Sequence, residues 1–241
     1  MSDLRDALDK NLIDGKLVAS SGGATFETLN PATEEVLGVA ADGTAADMDA
    51  AIDAARRAFD SDVANWTTDA AFRARCLRQL RDAMQAHSDE LRELTIAEVG
   101  APRFLTTLAQ LDAPVEDLGY LADLAESYDG WKVDLGEAVP AGIPSHRWIL
   151  REPAGVVGAI TPWNFPHQIN LAKIGPALAA GNTVVLKPAP DTPWCAAVLG
   201  PLIAEHTDFP AGVLNIVTSD DHALGARLVE DVEHIREEFP R

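Results

Sequence analysis

Cysteine is close to absent from this sequence. Cys76 and Cys195 are the two among 241 residues. They lie far apart and outside any CxxC or Cys/His pattern, which argues against a disulfide scaffold or a thiolate metal site. A reducing compartment, the cytoplasm, is the expectation. Six histidines are scattered without metal-ligand spacing, so no metal is expected. Aromatic residues make up only 6% of the chain, too few for a base-stacking platform. Basic residues are scarce too: 19 against 38 acidic ones give a net charge of −19. That field repels a polyanion, so nucleic acid is not an expected partner. No apolar run approaches the roughly 18 to 20 residues that span a bilayer, and no membrane partner is expected. The polar, charged start Met1-Ser2-Asp3-Leu4-Arg5-Asp6 does not read as a secretory leader. No GxGxxG and no GxxxxGK[ST] is present, so neither the glycine-rich dinucleotide turn nor a phosphate loop is available.

What remains is an ordinary globular balance, 47% apolar and 24% charged, in a chain long enough for a substantial core. Residues 11–41 read as short strands punctuated by Asp14-Gly15, Ser21-Gly22-Gly23 and Asn30-Pro31, with a tight hairpin turn at Ile13-Asp14-Gly15-Lys16. Thr44 is placed to cap a helix reaching about Phe59. The stripe Phe72, Cys76, Leu80, Met84, Leu91, Leu94 and Val99 predicts one long helix over 69–98, ended by Gly100. A further helix is expected over 103–127, irregular at Pro114. Residues 130–149 read as extended chain that joins the early strands in a small sheet or arm.

The pattern changes at Arg151. Val156-Val157-Gly158-Ala159-Ile160 is wholly apolar, as in a strand buried on both faces. Helix 167–180, strand 183–186, helix 192–207, strand 213–217 and helix 222–230 follow. Three strand–helix pairs make half of a doubly wound, Rossmann-like parallel α/β sheet, incomplete, with an N-terminal helical block and a small β arm. The division expected is 1–129 for the N-terminal strands and helical block, 130–150 for the arm, 151–231 for the dinucleotide-binding half, and 232–241 for a divergent tail.

In such sheets ligands meet the carboxyl ends of the strands, and three loops qualify. In Thr161-Pro162-Trp163-Asn164-Phe165-Pro166, two prolines brace Asn164. Its amide suits donation to an oxygen gaining charge; the alternative is a structural turn in which Asn164 caps the next helix. In Lys187-Pro188-Ala189-Pro190, Lys187 is either a donor to a cofactor ribose or phosphate or simply a solvated lysine. In Thr218-Ser219-Asp220-Asp221, Asp220 or Asp221 is expected to cap the following helix. Cys76, on an apolar stripe, and Cys195, next to the second loop, are expected to pack rather than react.

Taken in order, these segments resemble aldehyde dehydrogenases. Gly158 to Pro166 matches the family's PWN(F/Y)P motif and Lys187-Pro188-Ala189 its KP(S/A) motif. Leu29-Asn30-Pro31-Ala32-Thr33, Arg151-Glu152-Pro153-Ala154-Gly155-Val156-Val157 and Pro210 to Val217 are similar to further family segments. The resemblance implies NAD(P)-dependent oxidation of an aldehyde to a carboxylic acid. A cysteine attacks the aldehyde, Asn164 holds the oxyanion, and a glutamate-activated water releases the acid. It assigns Lys187 to the adenosine ribose. Ile160, Thr161, Pro162, Trp163, Ala189, Pro190 and Gly225 fall to the cofactor cleft, and Phe165, His167, Gln168 and residues 111–120 to the substrate side. Many members carry Glu where Pro190 stands and Gly-x-Gly where Ser219-Asp220-Asp221 stands, so the choice between NAD and NADP stays open. Members form homo-oligomers and are about twice as long. The sequence is therefore expected to stop before the reacting Cys and Glu and to be inactive alone, the alternative being a non-catalytic module that partners a full-length relative.

Overall fold

The computed structural model describes residues 4–230. The tail expected at 232–241, with residue 231, lies outside the described residues. Strands β1 (Asn11–Ile13) and β2 (Lys16–Val18) form the expected hairpin. Asp14 and Gly15 both take left-handed backbone (φ 52° and 72°), the conformation that matches a two-residue turn to strand twist. β3 (Thr25–Leu29) and β4 (Val36–Ala41) make a separate antiparallel ribbon with a register shift between Thr28 and Leu29.

Helix α1 (Ala45–Asp60) starts with a reciprocal capping box: the Thr44 hydroxyl accepts from the Asp47 N–H, and the Asp47 carboxylate accepts from the Thr44 N–H. The single helix expected over 69–98 is two, α2 (Ala70–Ala86) and α3 (Ser88–Val99). The apolar stripe skips a turn between Met84 and Leu91, and His87, with ψ 17°, departs from helix there. Gly100 ends α3 in left-handed conformation (φ 70°). The irregularity expected at Pro114 falls earlier. Helix α4 (Arg103–Leu105) runs into a π turn at Thr106–Gln110, distorted at Leu108, before α5 (Asp112–Ser127). Pro114 sits in the first turn of α5, where a missing N–H costs nothing.

Strands β5 (Lys132–Ala138) and β6 (Ser145–Leu150) pair only with each other. β7 (Val156–Thr161), α6 (Pro166–Ala179) and β8 (Thr183–Pro188) follow. The helix expected over 192–207 is α7 (Trp194–Ala197) and α8 (Leu199–His206). Pro201 has no N–H to offer the Ala197 carbonyl, which separates them. β9 (Leu214–Ile216) and α9 (Ala223–Glu230) complete the described chain.

The main sheet has the order β2-β1-β9-β8-β7, with β7, β8 and β9 parallel. The early hairpin therefore does not join the arm. β1 runs antiparallel to β9, with Leu12 opposite Ile216. Buried Asn11 fixes it there by accepting from the N–H and hydroxyl of Thr218, and Asn215 accepts from the Asp14 N–H. β7 is the opposite edge, and it is not buried on both faces: Ile160 is 45% exposed. One core joins α2, α5, α6 and α8 to the sheet; a second lies between α1, α9 and the sheet.

Candidate dinucleotide and oxyanion site

The carboxyl ends of β7 and β8 are in register, Ile160 beside Lys187 and Thr161 beside Pro188. Thr161 is buried, and its hydroxyl donates to Asn170 Oδ1 at 2.7 Å, anchoring the loop that follows. Pro162, Trp163 and Asn164 are exposed. Gln110, at the end of the π turn, donates its side-chain amide to the Asn164 carbonyl at 3.1 Å. The Asn164 backbone is therefore held from two sides, while its side-chain amide makes no hydrogen bond to a described residue. The capping alternative does not hold: α6 begins with Pro166 in its first turn after Phe165, without a side-chain cap. The next residue, His167, does not face a substrate path. It is fully buried with neither ring nitrogen partnered, and burial pushes its pKa down to about 4.

Lys187 is no solvated lysine either, being 3% exposed, on a strand with all six residues buried. Its Nζ lies 3.5 Å from the Ser219 carbonyl. Burial lowers its pKa, opposed by the charges of Asp221, Asp220 and Asp42. Ala189 and Pro190 are half-buried. A cleft of about 540 Å3 opens beside these loops, with Trp163, Pro190, Asp191, Thr192, Asp220 and Glu98 among its walls. Of the catalytic and cofactor residues expected from the sequence, Trp163 and Pro190 are on those walls; Ile160, Thr161, Pro162, Asn164, Lys187, Ala189 and Gly225 are not. Gly225 lies at the start of α9, where an added Cβ would meet only the tip of Ile160, at 3.8 Å. Asp221 provides the expected cap, accepting from the Ala223 N–H at 2.8 Å.

Glu98 escaped the sequence reading, and Thr192 entered it only as the residue that starts the helix after β8, whose first turn takes no side-chain cap. Glu98, at the end of α3, accepts from the N–H groups of Trp194 (2.7 Å) and Cys195 (2.8 Å) and from the Thr28 hydroxyl (3.4 Å). Burial raises its carboxyl to about 7, against the pull of those hydrogen bonds. It interrupts an apolar stripe just before Val99, the one signal in the sequence that an acid there faces inward. Thr192 is buried with its hydroxyl unpartnered. Both thiols are free and buried. Burial takes Cys76 up to about 12 and, with neighbouring Glu98, takes Cys195 well above its ordinary value. Neither is an activated nucleophile. Among the described residues no group of three or more His, Cys, Asp or Glu is arranged to hold a metal ion, and no helix is long and apolar enough to cross a membrane.

Parallel strands flanked by helices, with a cleft at their carboxyl ends, define an α/β protein of the dinucleotide-binding type. More narrowly, the chain belongs to the aldehyde dehydrogenase family, whose model matches residues 17–236. It is 40% identical to an aldehyde dehydrogenase of Enchytraeus buchholzi, over 95% of this chain and 44% of that protein. It is 38% identical to a mitochondrial benzaldehyde dehydrogenase of Antirrhinum majus, over 93% of this chain and 41% of that one. An NAD+ complex of an aldehyde dehydrogenase from Bacillus cereus matches with a TM-score of 0.83 at 35% identity, covering 95% of this chain and 46% of the other. The chain thus spans less than half the length of these relatives.

Proposed function

We propose that this chain provides the cofactor-binding and oxyanion-holding part of an NAD(P)-dependent aldehyde dehydrogenase, an enzyme that oxidises an aldehyde to a carboxylic acid. The observation that carries this reading is the Asn164 amide, exposed and without a hydrogen bond to a described residue, on a loop whose main chain is braced by Pro162, Pro166 and Gln110. An amide on a braced main chain is available to donate when charge develops on a nearby oxygen; loss of one such donor costs roughly 3 kcal/mol of transition-state stabilisation.

The residues fit a dinucleotide. Lys187 is the cation beneath the rim of β8, the unpartnered Thr192 hydroxyl belongs to the adjoining wall, and a Cβ at Gly225, at the start of α9, would meet only the tip of Ile160. Lys187, Ala189 and Pro190 hold the adenosine end, with Gly225 near the phosphates; Ile160, Thr161, Pro162 and Trp163 shape the other half. Bound there, a nicotinamide cofactor would supply the hydride acceptor. Asn164 donates to the substrate oxygen, and Thr161, through Asn170, keeps the loop in place. With both thiols buried and protonated, the nucleophile comes from outside the described residues, and the described part alone does not turn over. The exposed apolar residues of the β5–β6 ribbon, Trp148 and Leu150 among them, suit the contact between subunits of an oligomer, and two unpaired thiols suit the cytoplasm.

Titration with NAD or NADP, read by the fluorescence of Trp163 on the cleft wall, is expected to saturate. Lys187→Ala should weaken binding about tenfold, the loss expected for a charge-assisted hydrogen bond. No saturation with either cofactor would overturn the site. A dehydrogenase assay on the purified chain is expected to show no turnover with any of several aldehydes. Turnover that disappears in Asn164→Ala would overturn the placement of the nucleophile. The buried thiols also favour a second reading, a non-catalytic module assembled with a full-length relative. Mixed oligomers on co-expression would support it.

A further inference from the structure

We propose that Asp220 is the adenosine-ribose acceptor of this cleft and selects the cofactor without a 2′-phosphate, so that the chain binds NAD in preference to NADP. The inference rests on the reading of the cleft as a dinucleotide site. In sheets of this kind an acidic side chain near the ribose accepts from its hydroxyls and disfavours a 2′-phosphate, whereas a basic one accommodates the phosphate. Pro190, at the rim of β8, offers no acceptor. The sequence at that position alone therefore leaves either cofactor possible.

The structure brings a carboxylate to the same cleft from the next loop. Three acids surround Ser219, and two of them are engaged. Asp42 Oδ1 accepts from the Ser219 hydroxyl (2.8 Å) and from the Asp220 N–H (3.1 Å). Asp221 Oδ1 accepts from the Ala223 N–H at the start of α9. The Asp220 side chain makes no hydrogen bond to a described residue, is exposed, and shares the cleft wall with Pro190. Its backbone N–H is bonded to Asp42, which fixes where the side chain leaves the main chain beside the cleft.

Two further features agree. Thr192 is 2% exposed, its hydroxyl lacks a partner among the described residues, and it belongs to the same wall, a polar atom left for a ligand. Among the described residues the wall carries no lysine or arginine, while Glu27, Glu98, Asp191 and Asp220 are on it. Lys187 sits beneath the rim, drawn to the Ser219 carbonyl and to the field of Asp221, Asp220 and Asp42. A dianionic 2′-phosphate would meet carboxylates there without the planar fork that usually pairs with it.

The test is calorimetric titration of the full chain with NAD and with NADP. The native protein is expected to bind NAD at least about tenfold more tightly, since a like-charge contact at a binding surface is strongly unfavourable. Asp220→Asn should bring the two affinities within about threefold, by weakening NAD as a charged ribose acceptor becomes a neutral one and by relieving the repulsion of NADP. Glu27→Gln removes a like charge from the same wall but no ribose acceptor, and should shift the ratio less than Asp220→Asn does; thermal unfolding of each variant checks that it is folded. Equal binding of both cofactors by the native chain, an unchanged ratio in Asp220→Asn, or an equal shift in Glu27→Gln would overturn the assignment while leaving the dinucleotide site standing. Binding of neither cofactor would remove both.

Discussion

Strands β8 and β6 are each six residues long, yet every residue of β8 is buried and five of the six in β6 are exposed. Sequence does not separate them in the obvious way. β6 has Trp148, Ile149 and Leu150 in a row, all more than 40% exposed. β8 contains Thr183 and Lys187, both nearly solvent-free. The difference is in what surrounds each strand. β8 lies between β7 and β9, with α1 and α6 over its faces, whereas β6 has only β5 beside it. Burial in this molecule is set by neighbours in space, and strand propensity reports mainly a fit to a pleated surface.

Paired substitutions test that contrast most directly. Leu186→Ala, in the middle of β8, should cost about 2–5 kcal/mol in urea unfolding, from lost transfer energy and the cavity left behind. A loss below about 1 kcal/mol there would mean that the sheet centre is loosely packed.

Ionisable groups sharpen the contrast, because burial moves them in opposite senses. The His167 pKa falls to about 4 when folded, so only the unfolded chain takes up a proton as pH drops below the ordinary histidine value near 6.5. Stability present above pH 6.5 should therefore be lost between 6.5 and 4, by on the order of 3 kcal/mol. His167→Leu should abolish that acid limb. The Glu98 pKa rises to about 7 from 4.5, so its contribution is complete below pH 4.5 and is lost as pH rises through 7. Glu98→Gln should remove that decline. The same change turns one of two acceptor oxygens into a donor facing an N–H, and should cost about 1–3 kcal/mol at acid pH.

Smaller effects belong to the periphery. Thr44→Ala breaks the capping box of α1 and should cost about 1 kcal/mol. Leu150→Ala in β6 should change stability by no more than about 0.5 kcal/mol. A larger loss in the latter, growing with protein concentration, would show that the ribbon is covered in solution.

The α/β half was the most legible part of the sequence. Its strands are short apolar runs, and its helices stop at Gly181 and start after Asp221, signals that act within a few residues. Residues 161–166 and 187–190 could be placed at the strand ends for the same reason. The joining of β1 to β9 was not legible, because three residues, Asn11 to Ile13, carry no pattern that names a partner so distant in sequence. The burial of Glu98 was hidden likewise. A lone acid at a helix end normally faces water, and its partners at Thr28, Trp194 and Cys195 come from segments far along the chain. His167 looked accessible because it follows a loop; its turn of α6 points into the core instead.

The contact from Gln110 to Asn164 falls on the main-chain oxygen, not on the side-chain amide. The tilt of that peptide plane is consequently governed from the π turn, in another part of the sequence. A change around residue 106 or 108 that never approaches a reactant can re-aim the amide by a few tenths of an ångström.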